Sequence, residues 1–240
     1  MSRPRLVVRE GVFEIDGKPR VLLIGDYPYY RDRVENWEAR LRAQAEAGLD
    51  VLSCYVPWRH HAPRDPLKGG AYDFEGTTQS NRDLVRLVEM ARDRSLRVLL
   101  KPGPFIHAEL AYGGLPDYVD PSANLEIEPE LDAHDHPIKW PTGHVRGRQR
   151  SLPAPFDATY LRYVSDWFES LNQRVLQGRT WPQGPIIGLQ LMNEGIYSDS
   201  SNAGPLQRVI RYRSCPDLNG LRTRQVTRPT RSSIGAGKGC

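Results

Sequence analysis

Residues 183–195, Gln-Gly-Pro-Ile-Ile-Gly-Leu-Gln-Leu-Met-Asn-Glu-Gly, place a carboxamide and a carboxylate side by side at the end of an apolar run. In a parallel α/β barrel the reactive groups sit at the C-terminal ends of the strands, so a carboxylate that closes the run Ile186 to Leu191 faces the ligand pocket. Such a group can give up a proton and take one back. Taken alone the pair proves little, because most Asn-Glu pairs after apolar runs are ordinary loop or helix-start residues. Other side chains have the same double reading. Tyr29 and Tyr55 can be hydroxyl donors or aromatic core residues, and Glu109 a ligand contact or the partner of a structural ion pair. His60 and His61 look like a metal pair, but adjacent residues of an extended chain point to opposite sides, so neither a metal nor a cofactor is expected.

The elements that must position these groups alternate regularly. A hairpin is expected from Leu6–Arg9 and Val12–Ile15 around Asp16-Gly17. A strand follows at Val21–Gly25, a helix at about Val34–Ala47 with Gly48 as its stop, and a strand at Val51–Tyr55. Helix Asn81–Arg94 precedes strand Arg97–Lys101. Helix Asp157–Leu176, with Leu161, Val164, Trp167, Phe168 and Leu171 on one face, precedes strand Ile186–Gln190. Strands separated by helices imply βαβ units and a parallel sheet. Connections leaving the strand C-termini, about 56–80 and 102–156, are long and rich in Pro, Gly, His and aromatics, as loops that build active sites are.

Charge divides the chain in two. The total is +4, yet residues 203–240 hold seven Arg and one Lys against Asp217, so residues 1–202 carry −3. The terminal segment has no apolar periodicity and is mostly Arg, Gly, Ser, Thr and Pro; it reads as a basic, disordered tail behind a folded domain at 1–202. A nucleic-acid tail has this charge, but Tyr212 is its one aromatic and no binding motif is present, so no nucleic-acid partner is expected. The cysteines Cys54, Cys215 and Cys240 are too scattered for a disulfide framework or a zinc site. Charges interrupt the apolar runs of the N-terminus, no stretch has membrane-spanning length, and the reading is cytoplasmic without a membrane partner.

Five blocks line up at strand C-termini: IGDYPYYR (24–31), CYVPWRHHAP (54–63), KPGPFIHAEL (101–110), YGGLPDY (112–118) and GPIIGLQLMNEG (184–195). In order and spacing they resemble the blocks of glycoside hydrolase family 35, the β-galactosidase-like barrels, over roughly residues 8–202. The resemblance implies a (β/α)8 TIM barrel and retaining hydrolysis of O-glycosyl bonds in a β-galactoside or related pyranoside. It puts the general acid/base on Glu194 and the amide that grips the sugar 2-hydroxyl on Asn193. Substrate contacts fall on Tyr29, Tyr55, His107, Ala108 and Glu109. The chain departs from the family at Pro28, where His is usual, at Ala62 (Glu), His107 (Cys or Asn) and Leu110 (Trp).

At 240 residues the chain is tight for an intact eight-fold barrel of about 250 or more. After Glu194 the acids are Asp199 and Asp217, neither preceded by a strand pattern, so the second carboxylate of a retaining glycosidase has no candidate there. The expectation is therefore a barrel truncated to about its first four βα units, inactive by itself and prone to self-association through exposed edges. Two other readings remain: a carbohydrate-binding remnant without turnover, and a nucleic-acid-binding protein acting through the Arg-rich tail.

Overall fold

The computed structural model describes residues 6–15, 17–132, 134–145 and 147–194. Asp16 of the expected hairpin turn and the whole segment 203–240 lie outside them. The chain opens with β1 (Leu6–Arg9), β2 (Val12–Ile15) and β3 (Lys18–Arg20), an antiparallel meander that extends the expected hairpin by one strand. Then follow β4 (Ile24–Asp26), α1 (Val34–Glu46), β5 (Val51–Tyr55), a short α2 (Trp58–His61), α3 (Leu84–Asp93) and β6 (Arg97–Ile106). A hairpin of β7 (Lys139–Val145) and β8 (Arg148–Ser151) precedes α4 (Ala158–Leu171) and β9 (Ile186–Asn193).

Strands β4, β5, β6 and β9 form one sheet in that order, every pair parallel. Parallel neighbours need a crossover, and α1, α3 and α4 supply the three. Each helix turns an apolar stripe inward. In α3, Asp83 accepts the Arg86 amide at 3.0 Å as N-cap, and Leu84, Leu87, Val88 and Ala91 are buried at helical spacing. The helix starts later than Asn81 because Ser80–Arg82 form a 3-10 turn ahead of the cap. In α4, Asp157 caps through the Tyr160 amide at 2.7 Å.

The inward stripe of α4 differs from the expected one. Tyr160, Tyr163, Trp167 and Leu171 are buried, with Leu161, Val164 and Phe168 only partly so. Tyr163 can face inward because its hydroxyl has a polar partner: it donates to Asp65 at 2.9 Å. Trp37, Trp58 and Trp167 are fully buried, as core residues should be.

Strand β6 also departs from expectation. It continues past Lys101 to Ile106, passing Gly103 at φ +79°, where an added Cβ would come within 3.0 Å of the Phe105 amide nitrogen. Its ladder with β9 shifts register on the way and reaches Ile106 opposite Asn193. The extension carries the next residue, His107, directly beside the end of β9.

Candidate active site

The C-terminal ends of β5, β6 and β9 bring most of the expected residues together. Asn193 closes β9 beside the segment His107–Glu109. The His107 amide donates to the Asn193 carbonyl at 3.0 Å, and Asn193 Nδ2 donates back to the His107 carbonyl at 2.8 Å. Gln190 Nε2 donates to Asn193 Oδ1 at 3.0 Å, so both ends of that amide are oriented and each keeps further hydrogen-bonding capacity. Glu194 lies with Oε2 3.3 Å from His107 Nδ1, its side chain 71% exposed. Met192 (φ 60°) and Glu194 (φ 47°) flank Asn193 in the left-handed region that L-residues seldom occupy, as does Glu109 (φ 49°). Such backbone is held in place only where the surroundings over-determine it, and it clusters at functional sites.

The loop 107–109 is tied down from the first strand of the sheet. Arg31, in the turn after β4, donates through one guanidinium nitrogen to the Glu109 carbonyl at 2.8 Å and reaches the Ala108 carbonyl at 3.5 Å. The Glu109 carboxylate is left exposed. Tyr30, beside Arg31, is half-buried; burial raises its phenol, with Tyr55, Glu109 and Asp26 close enough to add to the effect and Arg31 to oppose it.

Beneath Tyr55 lies a charged pair that the sequence reading did not single out. Lys101 sits opposite Tyr55 in the ladder, and its ammonium lies 4.4 Å from the Tyr55 ring centroid and 2.8 Å from Asp26 Oδ1. Burial works to raise the Asp26 carboxyl, but the hydrogen-bonded Lys101 ammonium, with the nearby Ser53 adding, outweighs it and holds the group below the ordinary carboxylate range. The Lys101 side chain is only 11% exposed, and Asp26 is its ion-pair partner.

Tyr29 is the exception among the expected contacts. It is fully buried, and its hydroxyl lies 2.6 Å from His61 Nε2. His61 Nδ1 faces the Asp73 carbonyl at 2.6 Å, and since a carbonyl can only accept, Nδ1 carries the proton and Tyr29 donates to Nε2. The 3-10 turn Tyr29–Arg31 sends Tyr29 inward and leaves Tyr30 and Arg31 at the surface, so a sugar hydroxyl cannot reach Tyr29 in this arrangement. His60 donates its Nε2 proton to the Asn81 carbonyl at 3.1 Å. Among the described residues no three His, Cys, Asp or Glu side chains converge as a metal site would require. A cavity lined by Arg64, Asp65, Lys68, Asp117, Tyr118 and His144 belongs to the long loops and contains none of the strand-end residues.

Sequence reasoning also missed Trp140. This buried residue of β7 packs edge-on against Phe105, His107 and Tyr112, with centroids 5.8–6.0 Å away. Arg31 was within reach, as the last residue of the first block; Trp140 lay in a stretch with no strand pattern.

A family model described as "Glycosyl hydrolases family 35" matches residues 12–134. The chain is similar to the exo-beta-D-glucosaminidase of Thermococcus kodakarensis, with 30% identity over 77% of this chain and 22% of that protein. It is 27% identical to the beta-1,2-glucosyltransferase of Ignavibacterium album, over 88% of this chain and 29% of that one. It is 39% identical to beta-galactosidase 8 of Arabidopsis thaliana, over 82% of this chain and 20% of that one. The chain thus spans less than a third of the length of each of these relatives.

Proposed function

The chain belongs to glycosyl hydrolases family 35, and from that premise we propose that it carries the acid/base half of a retaining, β-galactosidase-like glycoside hydrolase. Glu194 is the general acid/base, Asn193 takes the sugar 2-hydroxyl, and Tyr55, His107, Ala108 and Glu109 contact the ring. One observation supports this most: Asn193, the last residue of β9, and His107, the residue after β6, are cross-linked by two hydrogen bonds of 2.8 and 3.0 Å that bring Glu194 beside the 107–109 loop. A carboxyl there can protonate a leaving glycosidic oxygen and later deprotonate water.

Retention also needs a second carboxylate about 5 Å from the first. Glu109 is spoken for as a ring contact in this reading, and we propose that the 240-residue polypeptide binds the sugar without turning it over. The test is hydrolysis of an activated aryl β-galactoside by the purified polypeptide and by its Glu194→Gln variant. No turnover above background is expected from either. Robust hydrolysis that disappears in the variant would mean that a carboxylate already present, Glu109 first, serves as nucleophile.

The four strands and their helices are, in the same proposal, the first four βα units of a TIM barrel. Both edges of the sheet support it: Ile24 on β4 and Leu189 and Leu191 on β9 are 49%, 42% and 63% exposed. Apolar side chains beside unpaired strand edges invite association. The polypeptide is expected to self-associate at micromolar concentration, and Leu191→Lys to shift it toward monomer. Sedimentation velocity decides this, and a monomer at all concentrations in the parent would contradict it. The proposal places the protein in the cytoplasm, supported by the buried, unpaired Cys54; no helix among the described residues is long and apolar enough to cross a membrane.

A further inference from the structure

We propose that His107 is a positioning residue for Glu194, the two forming a dyad whose contact survives both protonation states of the carboxyl; this rests on the reading of Glu194 as acid/base. His107 is held from three sides. Its backbone is clasped by Asn193 through the amide and carbonyl bonds of 3.0 and 2.8 Å. Its ring meets Trp140 edge-on at 6.0 Å and 86°, and Phe105 at 6.5 Å and 34°. Trp140 comes from the β7–β8 hairpin and is itself wedged against Phe105 and Tyr112. The ring edge that carries Nδ1 is thereby turned to Glu194, 3.3 Å from Oε2.

The residue type matters because an acid/base carboxyl alternates between two forms. As a carboxylate Glu194 accepts, and Nδ1–H can donate to it. As a carboxylic acid it donates, and a bare Nδ1 can accept. An imidazole nitrogen fills either role without moving, the ring exchanging a proton on Nε2 for one on Nδ1 through the solvent that reaches its exposed side. An amide at this position would have to flip to change roles, and a thiol is a weak partner in both. Trp140 and the hairpin thus act on the reaction through His107, without touching the sugar.

The experiment uses the 240-residue chain with 15N-labelled histidine, read by long-range 1H–15N correlation at neutral pH without any sugar. His107 is expected as the Nδ1–H tautomer, and as Nε2–H in Glu194→Ala, while His61, locked by Asp73, stays Nδ1–H in both. A His107 tautomer that is Nε2–H in the parent, or that does not respond to Glu194→Ala, overturns the proposal. A second measurement labels carboxylates with a carbodiimide and an amine and follows peptides by mass spectrometry. His107→Ala should change labelling of Glu194 relative to Glu109 by at least about twofold, the size expected for loss of one exposed contact to a carboxylate. An unchanged ratio also overturns it. Because neither readout needs a sugar, a failure to bind carbohydrate would count against the proposed function and leave the dyad standing.

Discussion

Replacing Trp167 with alanine is expected to destabilise the protein by about 4–5 kcal/mol, the range for removing a large aromatic from a close-packed core. The side chain is fully buried in the middle of α4. It stacks on Trp58 at 5.8 Å and 17°, lies 5.6 Å from Phe74 and 5.7 Å from Tyr72, and donates its indole proton to the Pro102 carbonyl at 3.0 Å. Trp58, Tyr72 and Phe74 belong to the long connection between β5 and α3, whose pieces of regular structure are too short to hold themselves. Trp167 is what the connection packs on. A cavity there would release the loop as well as α4, so the loss is a large part of a typical 5–15 kcal/mol stability. Urea denaturation measures it, and Trp167→Phe, which keeps an aromatic but not the indole proton, should lose clearly less. A loss under about 1 kcal/mol for alanine would show that the core closes without it.

The second large effect is acid lability centred on His61. Burial, with His60 adding to it, pushes the imidazole down from 6.5 to about 3. The folded pKa lies below the unfolded one, so between pH 6.5 and 3 the unfolded chain holds a proton that the folded chain does not. Stability contributed by the neutral ring is therefore complete above pH 6.5 and is lost as pH falls, by roughly 4–5 kcal/mol at pH 3. The groups facing the ring fit this sign. Tyr29 donates to Nε2 and would have to turn away from a second N–H, and Arg82 and His60 disfavour added positive charge, while the Asp73 backbone contact opposes the shift without overcoming it. Asp73 adds a smaller loss below pH 3.8. Burial alone would raise its carboxyl, but bonds from Thr78, Thr77 and Glu75 hold it well below its ordinary value. Denaturation midpoints from pH 7 to 3.5 should fall steeply in the parent. His61→Gln, though weaker at pH 7, should show a much flatter profile; an equally steep one would move the acid sensitivity elsewhere.

The residues themselves explain which parts of this architecture were legible. Runs such as Val51–Tyr55 and Ile186–Leu191 announce parallel strands; the first is covered on both faces and has no reason to alternate, the second is left half-open at the sheet edge, and Asn193-Glu194 at its end stood out. The capping aspartate Asp157 marked the start of α4, whereas Asp83 did not stand out and α3 was begun three residues early, inside the 3-10 turn Ser80–Arg82. Strand β6 was cut short at Lys101 because Pro102, Gly103 and Pro104 carry loop chemistry, and only the ladder to β9 reveals that they continue the sheet. The β7–β8 hairpin was invisible: Lys139–Val145 contains Pro141 and Gly143 and lacks alternation, and its strand state depends on Trp140 finding Phe105 and Tyr112. Tyr29 and Tyr30 show the limit most clearly. Adjacent tyrosines have equal chemistry in sequence, and a single 3-10 turn buries the first and leaves the second half-buried. The Lys101–Asp26 pair joins residues 75 apart in sequence, a separation no local pattern spans.

In the function proposed for this chain, the ends of β5, β6 and β9 form one sugar-binding face with Glu194 at its edge. Backbone amide shifts of the 240-residue chain, recorded while galactose is titrated in, test it most directly. Saturable changes are expected at Tyr55, at His107 to Glu109 and at Asn193 and Glu194, reduced by Asn193→Ala. Saturable changes confined to the loops around Asp117 and His144, or no change at any sugar concentration, would contradict it.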